Sequence, residues 1–132
     1  GDEILSVPSK GVINLHLGKL PAYRGVFPVF QAFVREEKSI GVTVHYMDLE
    51  FDSGSIISQI EIPIEIGDDL FSLYVKAFTA GAELLIDAVK NIYVDDIVTT
   101  PNGPDGKSYF SYPTFSQIRK YHVLTRKNKI NL

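Results

Sequence analysis

The sequence predicts an α/β domain, an open and mostly parallel sheet with helices against it, and three observations predict that class. Short runs rich in β-branched residues alternate with helical segments in the order strand, helix, strand, strand, long helix, tail. One helical segment, residues 68–92, repeats apolar residues at helical spacing throughout. The composition, 45% hydrophobic and 22% charged over 132 residues, is that of one globular domain able to bury a core.

The first strand is expected at "GVINLH", residues 11–16, bounded by Gly11 and by the Pro- and Gly-punctuated loop that follows. A helix is expected from near Pro28, with Val29, Phe30, Phe33 and Val34 on one side. Residues 41–47, "GVTVHYM", read as the second strand, and the helix between the two strands suggests a right-handed crossover and a parallel pair. "SIISQIEIPIEI", residues 55–66, reads as the third, with period-two spacing at Ile60, Ile62, Ile64 and Ile66. Pro63 lacks an N–H, which places that strand at an edge.

The long helix has Asp68 or Asp69 as its cap and Leu70, Leu73, Tyr74, Ala77, Phe78, Gly81, Leu84, Leu85 and Ala88 on its apolar side. "PNGPDGK", residues 101–107, reads as a turn. "TFSQIRKY" follows as a short helix, with Thr114 and Gln117 spaced as a capping box. Two parallel strands are few for a sheet of this kind, and the chain opens on the second half of a doubly wound pattern, so the sheet is expected to be incomplete. Residues 1–92 form the principal unit, and 93–132 an extension packed on it rather than an independent domain.

The composition excludes several classes of function. Cysteine is absent, which rules out disulfides, thiolate metal sites and a Cys nucleophile and accords with a cytoplasmic protein. A net charge of −3 argues against nucleic acid as a general partner. The basic tail at Arg119, Lys120, Arg126, Lys127 and Lys129 reads as a solvated end. No stretch approaches the ~20 apolar residues of a membrane helix, and no secretory signal stands at the start.

The polar residues that break the apolar pattern carry the chemistry. Asn14 and His16 are two apart and share one face of a regular strand. They are either a hydrogen-bonded strand end or an amide donor beside a group that titrates near neutrality. In open parallel sheets ligands gather beyond the carboxyl ends of the strands, so "MDLEFDSG" is expected on the same rim. Asp52, before Ser53 and Gly54, is either a turn former or a carboxylate for His16. Amide, imidazole and carboxylate together suit acyl transfer: an oxyanion donor, a proton shuttle and a group that orients it.

"GVINLHLGKLPAYRG" followed by "GVTVHYMDLEFDSGSIISQIEIPI" resembles the catalytic half of the folate-dependent formyltransferases, from about Ile4 to about Ile92. That family includes the enzymes acting on glycinamide ribonucleotide, on methionyl-tRNA and on amino sugars. The resemblance implies a formyltransferase-like, Rossmann-like fold whose N-terminal half is missing here. It implies Asn14, His16 and Asp52 as catalytic residues and 10-formyltetrahydrofolate as the formyl donor of one-carbon metabolism, with no metal. Met47, Asp48, Leu49 and Glu50 would border the pterin, and Pro21, Arg24 and Gly25 would shape the wall near the substrate. His45 and Gly54 would stand behind the reacting groups, although His45 is equally a structural histidine.

The chain departs from the family at "HLGKLP", where "HPSLLP" is common. Lys19 then either meets an anionic substrate at the mouth or is a solvated lysine. The resemblance further implies a small-molecule amine acceptor, nucleotide-like or sugar, and a partner in the missing half of the domain, without which this chain is expected to be inactive. Methionyl-tRNA is the alternative acceptor; the barrel that accompanies it exceeds the roughly 40 residues after the long helix, which counts against tRNA unless the chain is also cut at its C-terminus. The same residues would also serve hydrolysis of the formyl group, or persist in a non-catalytic module that binds folate or a partner. The aromatics Tyr109, Phe110, Tyr112 and Phe115 are expected to pack on the sheet or to form a contact between two copies.

Overall fold

In the computed structural model, residues 2–104 and 106–130 are described, the side chains of Asp2 and 127–130 excepted. Gly1, Asp105, the side chains of Lys127 and Lys129, and the last two residues lie outside the described set. The elements are α1 (Asp2–Ser6), β1 (Ile13–His16), β2 (Arg24–Gly25), α2 (Pro28–Val34), β3 (Ser39–Tyr46), β4 (Ile56–Pro63), α3 (Leu70–Tyr93), β5 (Tyr109–Phe110) and α4 (Phe115–Ile130). The α/β class holds, with one antiparallel sheet and one small parallel pair.

β1, β3 and β4 form one sheet in the order β1-β3-β4, antiparallel throughout, while β2 and β5 make a small parallel pair. The parallel pairing expected of residues 11–16 and 41–47 is therefore corrected. A parallel crossover must carry the chain back along the strand before it re-enters the sheet. Here residues 17–27 turn through a cis Leu20–Pro21 peptide and pair at Arg24–Gly25, leaving a helix of only 7 residues. The chain enters β3 from the end at which it left β1, with His16 opposite Thr43 and Ile13 opposite Tyr46.

Alternation along the strands gives the sheet two unlike faces. Leu15, Ile40, Val42 and Val44 face α3, where Gly81 approaches so closely that an added Cβ would lie 3.1 Å from Leu15 and 3.2 Å from Val42. Val29, Phe30, Phe33 and Val34 of α2 join this core with Leu73 and Ala77 of α3. The opposite face carries Asn14, His16, Thr43 and His45. The 17–25 loop is fastened over it: Thr43 Oγ1 donates to Gly18 O at 2.6 Å, and Gln59 Nε2 donates to Leu20 O at 2.9 Å.

Strand β4 is the edge beyond β3, as Pro63 requires, and it stops there rather than continuing to Ile66. α3 begins with a capping box in which Asp69 accepts from Ser72 N at 2.9 Å and Ser72 Oγ accepts from Asp69 N at 3.0 Å. α4 starts at the expected Thr114–Gln117 box but runs for 16 residues, longer than a short helix, because Tyr121 packs on Phe30 and Phe33 of α2. No described helix is long and apolar enough to cross a membrane.

Candidate active site

The register of β1 against β3 assembles the polar cluster. Asn14 stands opposite His45, and Asn14 Nδ2 lies 3.2 Å from His45 Nε2. The other nitrogen of His45, Nδ1, lies 2.6 Å from Tyr46 O. A carbonyl only accepts, so Nδ1 carries the hydrogen and Nε2 accepts from the Asn14 amide. Burial holds this imidazole below its ordinary value, against the Tyr46 carbonyl and Asp52, which pull it up. His45 is a neutral acceptor that fixes the rotation of Asn14.

His16 is fixed in the same way by a different carbonyl. Its Nε2 donates to Tyr23 O at 2.7 Å, which leaves Nδ1 as the ring nitrogen that faces Asp52. Asp52 Oδ1 lies 3.6 Å from that Nδ1 and 3.8 Å from His45 Nε2. Asp52 Oδ2 accepts from Gly25 N at 2.8 Å, so the carboxylate is oriented by a backbone amide. An added Cβ at Gly18 would lie 2.6 Å from His16 Nε2, so only glycine leaves room for the His16–Tyr23 contact.

Asn14, His16 and Asp52 thus meet, but not on the shared rim of a parallel pair. The 47–55 loop leaves the far end of β3 and folds back across the polar face of the antiparallel sheet. Asp52 makes that return with φ +52°, a left-handed conformation that Asp tolerates better than most residues. Gly54 lies against the strand so tightly that a Cβ there would fall 1.9 Å from Tyr46 O.

Two cavities flank the cluster. One of about 200 Å³ is lined by Asn14, His45 and the run Met47–Asp52, so the four residues expected near the pterin lie beside the amide. The other, about 440 Å³, is walled by Arg24, Glu50, Phe51, Lys107, Ser108 and Tyr109. Arg24 is 7% exposed, and its Nε finds no hydrogen-bond partner among the described residues.

Lys19 stands apart from this cluster, its Nζ 2.5 Å from Glu61 Oε1. Pro21 lies in the loop stapled by Gln59, and His122 is on α4 against Tyr121. Phe110 stacks on Tyr23 and Tyr112 meets Phe27 edge-on, while Tyr109, Tyr112 and Phe115 are all exposed. Among the described residues no group of three or more His, Asp or Glu is placed to hold a metal ion.

Two contributors to the site are not foreseen from the sequence. The Tyr23 carbonyl has no side-chain signal. Asn102, expected only as part of a turn, donates from Nδ2 to Asp52 O at 2.8 Å and to Gly54 O at 3.0 Å. A side-chain amide within a Pro- and Gly-rich loop is the one hint the sequence offers.

The sequence model described as Formyl transferase matches residues 1–89. The methionyl-tRNA formyltransferase of Macrococcus caseolyticus is 34% identical over 110 residues, covering 83% of this chain and 36% of that protein. That of Lysinibacillus sphaericus is 44% identical over 90 residues, covering 68% and 29%. Among solved structures, the formyltransferase PseJ from Anoxybacillus kamchatkensis, in complex with UDP-4,6-dideoxy-4-formamido-L-AltNAc and tetrahydrofolate, matches with a TM-score of 0.76 at 28% identity over 93% of this chain and 62% of that one. An N-formyltransferase from Helicobacter canadensis, in complex with folinic acid and dTDP-3-aminofucose, matches with a TM-score of 0.75 at 27% identity over 86% and 47%. The chain spans about a third of the length of the curated relatives it matches.

Proposed function

This chain belongs to the formyl transferase family, and we propose from that premise that it carries the catalytic residues for moving a formyl group from 10-formyltetrahydrofolate to an amine. The observation that carries the proposal is the approach of Asp52 Oδ1 to His16 Nδ1 at 3.6 Å, beside an Asn14 amide already oriented by His45.

In this reading the folate cosubstrate supplies an activated formyl carbon to the cavity lined by Met47, Asp48, Leu49 and Glu50. The acceptor nitrogen bonds to that carbon. The second N–H of Asn14, not engaged by His45, donates to the oxygen that gains charge. His16 handles the proton through Nδ1, because Nε2 is held by Tyr23 O. The bond from carbon to the folate nitrogen then breaks, and the proton lost by the amine reaches that nitrogen. Asp52 stabilises the charged imidazole between the two transfers.

A nucleotide-linked or sugar amine is the favoured acceptor. The larger cavity beside Asp52 offers a buried guanidinium, a lysine and two aromatic faces, and the PseJ and Helicobacter canadensis proteins are complexed with nucleotide-linked sugars. Methionyl-tRNA is the second reading, favoured by the names of the relatives at 34% and 44% identity.

Residues 93–132 act as an extension of the catalytic unit 1–92. A preceding half of the domain completes the folate pocket and covers α3, where Phe71, Val75, Phe78, Ile86, Val89 and Tyr93 form an exposed apolar stripe. The deciding experiment incubates the full-length protein with 10-formyltetrahydrofolate and either dTDP-3-aminofucose or methionyl-tRNA. A formylated amine in one arm identifies the acceptor; free formate alone makes it a hydrolase, and no turnover in any arm overturns the proposal.

A further inference from the structure

The geometry points to Asn102 as the positioning residue that locks the Asp52 loop in its working conformation and ties it to the Arg24 wall. The inference rests on the reading of Asp52 given above, but it concerns a residue outside the 1–89 segment that the family model matches.

Three observations converge. The Asn102 amide donates to Asp52 O and to Gly54 O, the two carbonyls on either side of Ser53. Those two bonds brace the turn that begins at Asp52, whose φ of +52° aims the carboxylate back at His16. On its other side Asn102 accepts from Arg24 Nη2, through its backbone O at 3.1 Å and its Oδ1 at 2.9 Å. All the polar atoms of the amide are thereby used, with the two N–H groups facing the catalytic loop and the oxygen facing the acceptor wall.

The backbone that presents Asn102 is itself held. Two residues earlier, Thr100 and Ile56 exchange backbone bonds of 2.9 and 2.8 Å at the start of β4. Further along, Arg24 N donates to Ser108 O at 2.9 Å, and β2 pairs with β5. Asn102 therefore sits between two anchored points and closes the gap between the Asp52 loop and the Arg24 strand. Only an amide does both tasks, because a carboxylate has no N–H and a hydroxyl has a single hydrogen.

The test compares Asn102→Ala and Asn102→Asp with the parent chain. Asn102→Asp keeps an acceptor for Arg24 but loses both donors to the loop. The imidazole 15N resonances of His16 and His45 are expected to shift in both variants while those of His122 on α4 stay in place, a signature that general loss of stability would not give. In the full-length protein kcat for formyl transfer is expected to fall about 10- to 100-fold with KM for 10-formyltetrahydrofolate unchanged. If Asn102→Ala does not fold, Asn102→Asp decides. Unmoved His16 and His45 resonances in the folded variant would overturn the inference. A parent protein that transfers no formyl group would instead overturn the functional reading and leave the resonance result to stand on its own.

Discussion

Asn14 and His45 are cross-strand partners, and the amide nitrogen of one lies 3.2 Å from Nε2 of the other. Because His45 Nδ1–H is committed to the Tyr46 carbonyl, the role left to Nε2 is to accept. The consequence is a directed amide: one hydrogen is held by His45, on a side chain that lines the cavity beside Met47.

In the proposed mechanism, replacing Asn14 by Ala removes the donor to the developing oxyanion. In the full-length protein kcat is expected to fall about 10²- to 10³-fold with little change in KM for the folate. Steady-state kinetics check this, and an undiminished kcat would remove Asn14 from the reaction.

His16→Ala removes the nitrogen that faces Asp52 and that the proposed mechanism uses to carry the proton. A loss of about 10²- to 10⁴-fold in kcat is expected, read as formylated product by mass spectrometry. Asp52→Asn, which keeps the size of the side chain, should lie between this variant and the parent. Turnover at parental rate in His16→Ala would exclude the imidazole as the shuttle.

His45 makes stability depend on pH. Its folded value is held down chiefly by burial, so the unfolded chain binds the proton more readily. The stability tied to its neutral form is complete above the unfolded value of about 6.5 and is lost as pH falls through the folded value. His45→Gln should flatten that part of the curve in urea titrations at successive pH values. An unchanged slope would mean that the buried imidazole is not the group responsible.

Gly25 holds φ +94°, and a Cβ there would fall 2.1 Å from Phe110 O. Gly25→Ala is expected to cost about 1–3 kcal/mol through forced displacement of β5. The same shift should disturb Asp52, whose Oδ2 takes its hydrogen bond from Gly25 N. Thermal unfolding and formyl-transfer rates together test the coupling; a destabilised variant with parental kcat would separate the two roles.

Val75→Ser with Phe78→Ser on the exposed stripe of α3 should leave the unfolding free energy of the chain within about 0.5 kcal/mol. The pair should also reduce binding of a hydrophobic dye. A large loss of stability would show that these side chains already pack within this chain.

Much of this molecule is legible in the order of its residues. Period-two and helical spacings locate β1, β3 and β4 and the helices from α2 onward, the Asp69 and Thr114 caps mark two helix starts, and Pro63 marks an edge. The same alternation puts Asn14 and His16 on one face, and the motifs around them carry the family resemblance. These are local properties, decided by neighbours within a few positions along the chain. Whether β1 and β3 run parallel is not local: it depends on how residues 17–27 are spent, and those residues are stapled to Thr43 and Gln59, far along the chain. Tertiary structure alone therefore chose the antiparallel register that sets Asn14 against His45, the carbonyl that orients His16, and Asn102 as the clasp on Asp52. Hydrogen bonds between distant segments leave no periodic trace, because each needs only one donor and one acceptor brought together by the fold.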